Sequence, residues 1–148
     1  MLVDTIRADL TAAMKARDTT TVTTLRAVIA AVQEAEVAGD SAITLDDDGV
    51  QKVIAAQAKR RVEAAEAFDA GGAADRAANE RAELEVLERY LPKKLDEAEL
   101  AALVDEVLAE HGFNEKSQMG QAMKAVNAKV AGRADGRAVA DLVKARLN

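Results

Sequence analysis

Thr19–Val32, TTTVTTLRAVIAAV, is the stretch whose reading decides the fold. It is rich in β-branched residues, which favour a pleated strand over a helix by propensity. Val22, Leu25, Val28, Ile29 and Val32 nevertheless recur at steps of three and four, and strict alternation is absent. The spacing predicts a helix, capped by Asp18 and ending near Gly39.

Working outward, the same period repeats along the chain. Leu2, Ile6, Leu10, Ala13 and Met14 form a stripe for a first helix that runs to about Lys15. Thr44-Leu45-Asp46-Asp47 has the shape of a capping box, followed by Val50, Val53, Ile54, Ala58, Arg61, Ala65 and Phe68 on one face of a long third helix. Gly71-Gly72 breaks it, and a fourth helix from about Asp75 carries Ala77, Leu84, Leu87 and Leu91 back antiparallel. Tyr90-Leu91-Pro92 holds the only proline, which disfavours helical geometry in the residue before it. The predicted boundary therefore separates an N-terminal domain, 1–92, from a C-terminal domain, 93–148.

Beyond the boundary, Asp96 and Glu99 have N-cap and N3 spacing, and Leu95 and Leu100 sit where a hydrophobic staple needs them. Leu100, Leu103, Val104, Val107 and Leu108 carry a fifth helix to about Glu110, ended by His111-Gly112. Met119, Ala122, Met123, Val126 and Val130 form a sixth, with Ser117 as its expected cap. Gly132 is expected to close it in left-handed geometry, and Asp135 to cap a seventh helix bearing Ala138, Val139, Leu142, Val143 and Leu147. The predicted fold is all-α, with about four helices followed by a small three-helix domain.

Composition narrows the chemistry. A chain of 148 residues buries roughly 70% of its unfolded surface without staples. Cysteine is absent, which removes disulfides, thiolate metal sites and cysteine nucleophiles together. The single histidine, His111, leaves little for a metal cage or for serine–histidine machinery. No stretch approaches the roughly 20 apolar residues of a membrane span, so a cytoplasmic location is expected. The net charge of −6 hides an asymmetry: from His111 onward seven Lys/Arg face three acids, giving +4, while positions 1–110 carry 13 basic and 23 acidic residues, giving −10. Such a split points to a polyanionic partner for the tail alone.

Each chemical motif has a structural reading beside it. Asp46-Asp47-Asp48 is the densest carboxylate run, but consecutive residues on a first helical turn diverge and favourably meet the helix dipole, so no metal is assigned. Lys59-Arg60-Arg61 interrupts an acidic half and is read as a salt-bridged face, with Glu63 and Glu66 as partners. His111 is expected to cap a helix end, and Tyr90 to pack the domain junction, since two phenylalanines beside it make no stacking platform. At Gly132-Arg133-Ala134-Asp135-Gly136, the Asp135 carboxylate is expected to occupy the place of a bound anion. Any phosphate contact there then falls to side chains around the turn.

Met119-Gly120, Met123-Lys124, Lys129, Gly132-Arg133-Ala134-Asp135-Gly136 and Val139…Val143…Leu147 resemble the C-terminal signature of the YqeY-like proteins. Those proteins share this domain with the tail of the B subunit of tRNA-dependent amidotransferase. Ala13-Met14-Lys15, Leu25-Arg26, Phe68-Asp69-Ala70-Gly71 and Tyr90-Leu91-Pro92-Lys93-Lys94-Leu95 extend the resemblance over nearly the whole chain. Two positions depart from the pattern: Gly72 stands where a basic residue is expected, and Ala128 where a proline often precedes the lysine, which lets the sixth helix run further.

The resemblance implies an N-terminal helical domain followed by a three-helix domain, and in the amidotransferase the related tail helps to hold tRNA while the chemistry resides elsewhere. Three functions follow: a non-catalytic accessory protein contacting tRNA or other structured RNA, a helical protein-interaction module, and an amidotransferase-like carbon–nitrogen ligase using glutamine. The third lacks a nucleophile, a metal cage and a nucleotide loop in this chain. The RNA reading places contacts at Lys124, Lys129, Arg133, Arg137 and Lys144, with no catalytic residue, metal or cofactor assigned.

Overall fold

A computed structural model describes Met1–Asn148, and every regular element in it is helical. The elements are α1 (Leu2–Ala16), α2 (Thr19–Val37), α3 (Asp47–Ala70), α4 (Ala74–Glu88), α5 (Glu97–His111), a 3-10 turn at Lys116–Gln118, α6 (Met119–Val130) and α7 (Gly136–Arg146). They divide into two compact units, Met1–Leu91 and Pro92–Asn148.

In the first unit, α1 packs on α2, α3 pairs with α4, and α2 lies against both. The order of the cross-links between α3 and α4 makes them antiparallel, because Arg61 reaches Glu83 while the later Asp69 reaches the earlier Arg81. The core holds Ile6, Leu25, Val28, Val32, Val50, Ile54, Ala58, Val86 and Leu87. Full burial of Ile6, Leu25, Ile54 and Leu87 removes apolar surface worth about 1.5–3 kcal/mol each.

The decisive stretch is helical throughout, yet its buried face is turned from the one its apolar residues mark. Thr21 and Thr24 are buried beside Leu25, Val28 and Val32, whereas Val22 and Ile29 are only half-buried. Local hydrogen bonds make this possible. The Thr21 hydroxyl donates to Asp18 Oδ2 at 2.7 Å and the Thr24 hydroxyl to the Thr20 carbonyl at 2.8 Å, so only their methyl groups face apolar neighbours. Asp18 also accepts the Thr21 N–H, and the Thr21 hydroxyl, followed by that N–H, holds its carboxyl below the usual carboxylate range. The helix ends at Val37, two residues before Gly39.

Three other expectations in this unit are corrected. The cap of α3 is Asp46, which accepts the Gly49 N–H at 2.8 Å, so Thr44 lies outside the helix start. Arg61 does not pair with Glu63 or Glu66 on its own helix. Its guanidinium, only 17% exposed, reaches across to Glu83 at 2.8 Å and Glu80 at 3.7 Å on α4, because a residue on the apolar stripe faces its neighbouring helix. Tyr90 packs against the first unit's own core and its hydroxyl donates to Asp9 Oδ2 at 2.5 Å, fastening the end of α4 to α1. Burial, and then that hydrogen bond, push the phenol's pKa upward.

In the second unit, α5, α6 and α7 pack mutually around Leu100, Val104, Val107, Leu108, Ala122, Val126, Val130, Val139, Val143 and Leu147. Asp96 and Glu99 form the full capping box, and Leu95 packs on the core beside Leu100. Gly112 ends α5 in the left-handed conformation at φ 68°. His111 Nδ1 lies 3.0 Å from the Val107 carbonyl and its ring stacks on Phe113, which accounts for both groups structurally. Backbone bonds close both ends of the unit: Leu95 N–H donates to the Arg133 carbonyl at 2.8 Å, and Asn148 N–H to the Asn114 carbonyl at 2.9 Å.

Candidate nucleic-acid interface

The hairpin α6–α7 begins differently from its sequence expectation. Ser117 does not cap α6; the Glu115 carboxylate and Gln118 side chain form a reciprocal box around the 3-10 turn that leads into it. Ala128 lies within α6, which continues to Val130, as a residue with a backbone N–H and good helix propensity allows. The left-handed cap is Ala131 at φ 49°, with Gly132 following at φ 79°. Two successive left-handed residues turn the chain sharply, and only the second is glycine.

That turn redirects Arg133. Its Nε donates to the Val130 carbonyl at 2.9 Å and an Nη to the Lys129 carbonyl at 2.7 Å, so the guanidinium covers carbonyls left open at the end of α6. Asp135 holds the N-cap position of α7 in extended geometry but its side chain accepts no capping hydrogen bond. The expected occupation of that helix start by the Asp135 carboxylate is therefore corrected. Ala138 is exposed and Val139 and Val143 form the buried stripe of α7, whereas Leu147, expected on that helix, is buried just past its end in extended geometry.

The five predicted contact residues separate into two groups. Lys129, 46% exposed, lies beside α5 with Nζ 3.2 Å from Glu106 and 3.7 Å from Glu110. The Glu106 hydrogen bond, then the charges of both glutamates, raise its pKa. Arg133 is committed to backbone carbonyls, as described. Lys124 on α6 and Arg137 and Lys144 on α7 are exposed and take part in none of the ion pairs. Counting 100° per residue, Lys124 points away from the core stripe of α6, and Arg137, Asp141 and Lys144 away from that of α7. The hairpin's remaining helical cation, Arg146, pairs with Asp105 of α5.

A charge count by position misses this pattern. Pro92–Asn148 contains nine basic and nine acidic residues, so the unit is formally neutral. The separation is internal: α5 and its cap carry Asp96, Glu97, Glu99, Asp105, Glu106 and Glu110, and the hairpin carries most of the cations. Acids of α5 neutralise the hairpin cations that flank it and leave the outward ones unpaired.

No three His, Asp or Glu side chains converge as metal ligands. Surface hollows of about 190, 330 and 360 Å³ lie in the first unit, lined by Thr19, Thr20, Thr23, Asn79 and Glu83, by Gly72–Arg76, and by residues between Val62 and Glu88. No helix is long and apolar enough to cross a membrane.

Fold and surface thus define an all-helical protein whose distinguishing surface is a cation-bearing hairpin. The chain belongs to the family described as Yqey-like protein, whose model matches residues 3–147. No curated protein matches it.

Proposed function

We propose that this protein is a non-catalytic accessory factor that contacts tRNA or another structured RNA through its C-terminal unit. The observation that carries the reading is the set of exposed, unpaired cations Lys124, Arg137 and Lys144 on a hairpin whose Lys129 and Arg146 pair with acids of α5 and whose Arg133 is held by backbone carbonyls. Duplex-like RNA is recognised mainly through phosphates and 2′-hydroxyls, which suits lysine and arginine on helices without aromatic platforms. The resemblance of this hairpin to the tail of the amidotransferase B subunit supports the same assignment. Lys129 and Arg133 belong to the contact set as reserve positions, since each must first leave an internal partner. The first unit, −6 over Met1–Leu91, is itself a poor surface for a polyanion.

Three contacts give weak binding with a steep salt dependence. The test is titration of tRNA against the wild type and the reversals Lys124→Glu, Arg137→Glu and Lys144→Glu at low and moderate salt. Each reversal is expected to weaken binding and to lower the salt slope by about one. Equal affinities for all four proteins, or no binding even at low salt, would overturn the RNA reading and favour a protein-interaction module. The isolated chain is expected to release no ammonia from glutamine, because it offers no cysteine and its one histidine is held by the end of α5.

A further inference from the structure

The α2–α3 connection, Ala38–Asp46, holds apolar side chains out into solvent although its backbone is well anchored. Ile43 N–H donates to the Glu36 carbonyl at 2.9 Å and Leu45 N–H to the Glu36 carboxylate at 3.0 Å, folding the connection back on the end of α2. Leu45 packs on the core, but Ile43 stays 57% exposed and Val37, next to Glu36, 66% exposed. Leu2 N–H donates to Asp47 at 2.8 Å, which brings the similarly exposed Met1 to the same end of the first unit. Three of the four large apolar side chains left exposed therefore belong to the same end of the first unit. Val37 and Ile43 make no contribution to the core, which leaves their apolar surface free for a partner to cover.

The charge around them selects the ligand. From Ala27 through Gln51 the chain carries six acids, Glu34, Glu36, Asp40, Asp46, Asp47 and Asp48, and no lysine or arginine. Asp46 and Asp47 are spent on capping α3 and α1, whereas Asp40 and Asp48 are exposed and unpaired. We infer that this end of the N-terminal unit is a docking surface for a basic amphipathic protein segment, whose apolar side chains cover Val37 and Ile43 while its lysines or arginines meet Asp40 and Asp48. RNA is excluded from the same place by the acids, so the two proposed partners use different units and the two readings fail separately.

Fluorescence anisotropy with a labelled helical peptide of leucine and lysine tests it on the full-length chain, against matched peptides with serine for leucine or glutamate for lysine. The leucine–lysine peptide should bind, and Val37→Ser/Ile43→Ser should weaken it about tenfold or more. Asp40→Lys/Asp48→Lys should weaken it at low salt, with the difference closing as salt is raised. Met14→Ser, at the other end of α1, should leave it unchanged. In the wild type, peptide addition should shift the Val37 and Ile43 methyl resonances and spare Met14, which reads the site without any substitution. Unshifted methyls, equal binding of the serine-for-leucine peptide, or Val37→Ser/Ile43→Ser binding like the wild type would overturn the inference. Sedimentation showing a dimer that Val37→Ser/Ile43→Ser abolishes would overturn it in favour of a second copy as the occupant.

Discussion

The double substitution Glu106→Gln/Glu110→Gln tests whether α5 masks a cation of the hairpin. Both glutamates are about half-exposed and lie 3.2 and 3.7 Å from Lys129 Nζ, so each is a solvent-screened surface ion pair of small worth. RNA that recruits Lys129 must give up that interaction. Removing both pairs strengthens binding by up to roughly 25-fold at the additive upper bound, about fivefold for each pair. One further phosphate contact also steepens the dependence of log affinity on log salt by about 0.9. Titration of tRNA by fluorescence anisotropy over a salt series reads both quantities. Loss of two negative charges tightens RNA binding by itself, so the decisive protein is the triple variant that adds Lys129→Gln. If Lys129 makes the new contact, the triple variant returns to the wild-type slope; if it keeps the steeper slope of the double variant, the masking argument is refuted.

Capping separates two aspartates that look equivalent in sequence: Asp96→Ala should cost about 1 kcal/mol in urea unfolding, and Asp135→Ala, which loses no capping bond, only a few tenths. Tyr90→Phe removes the bond to Asp9 and should destabilise the first unit by about 1–2 kcal/mol at neutral pH. Because the folded-state pKa of Tyr90 is raised, its contribution is complete below the ordinary tyrosine range near pH 10 and is lost as pH climbs beyond it; Tyr90→Phe should flatten that alkaline decline in thermal melts. Limited proteolysis should cut first near Leu91–Leu95 or in the connection between α5 and α6 and leave a folded N-terminal fragment, whereas early cuts within Val50–Phe68 would contradict a separable first domain.

Helices were legible because the apolar period is robust: every buried residue of α6 and α7 lies four positions from the next, within the expected stripes. Side-chain rescue was not legible to the same degree. Thr21 and Thr24 enter the core only because Asp18 and the Thr20 carbonyl satisfy their hydroxyls, and polarity alone assigns both to the surface. A signal existed, since the 21, 24, 25, 28, 32 spacing is as regular as the one chosen. The joint between α6 and α7 failed for another reason. Glycine at 132 signals positive φ, but nothing in the order of residues says that Ala131 adopts it first or that Arg133 then folds back as the cap. Pairings across helices, such as Arg61 with Glu83, depend on which helix becomes the neighbour and how it is rotated.

Electrostatics carries the same lesson into function. Counting from His111 isolates the cations of the hairpin from the acids of α5, which precede them in the chain but lie beside them in the fold, and the +4 so obtained is not the charge a polyanion meets. Pairing of Lys129 with Glu106 and Glu110, and of Arg146 with Asp105, cancels the flank next to α5. Lys124, Arg137 and Lys144 keep their charge because helical phase carries them outward, beyond reach of that acidic helix. A neutral unit with separated charge binds a polyanion in one orientation and repels it in the opposite one, which a uniformly basic surface of the same net attraction does not do. Orientation, more than affinity, is what this arrangement of charge supplies to any polyanion that meets it.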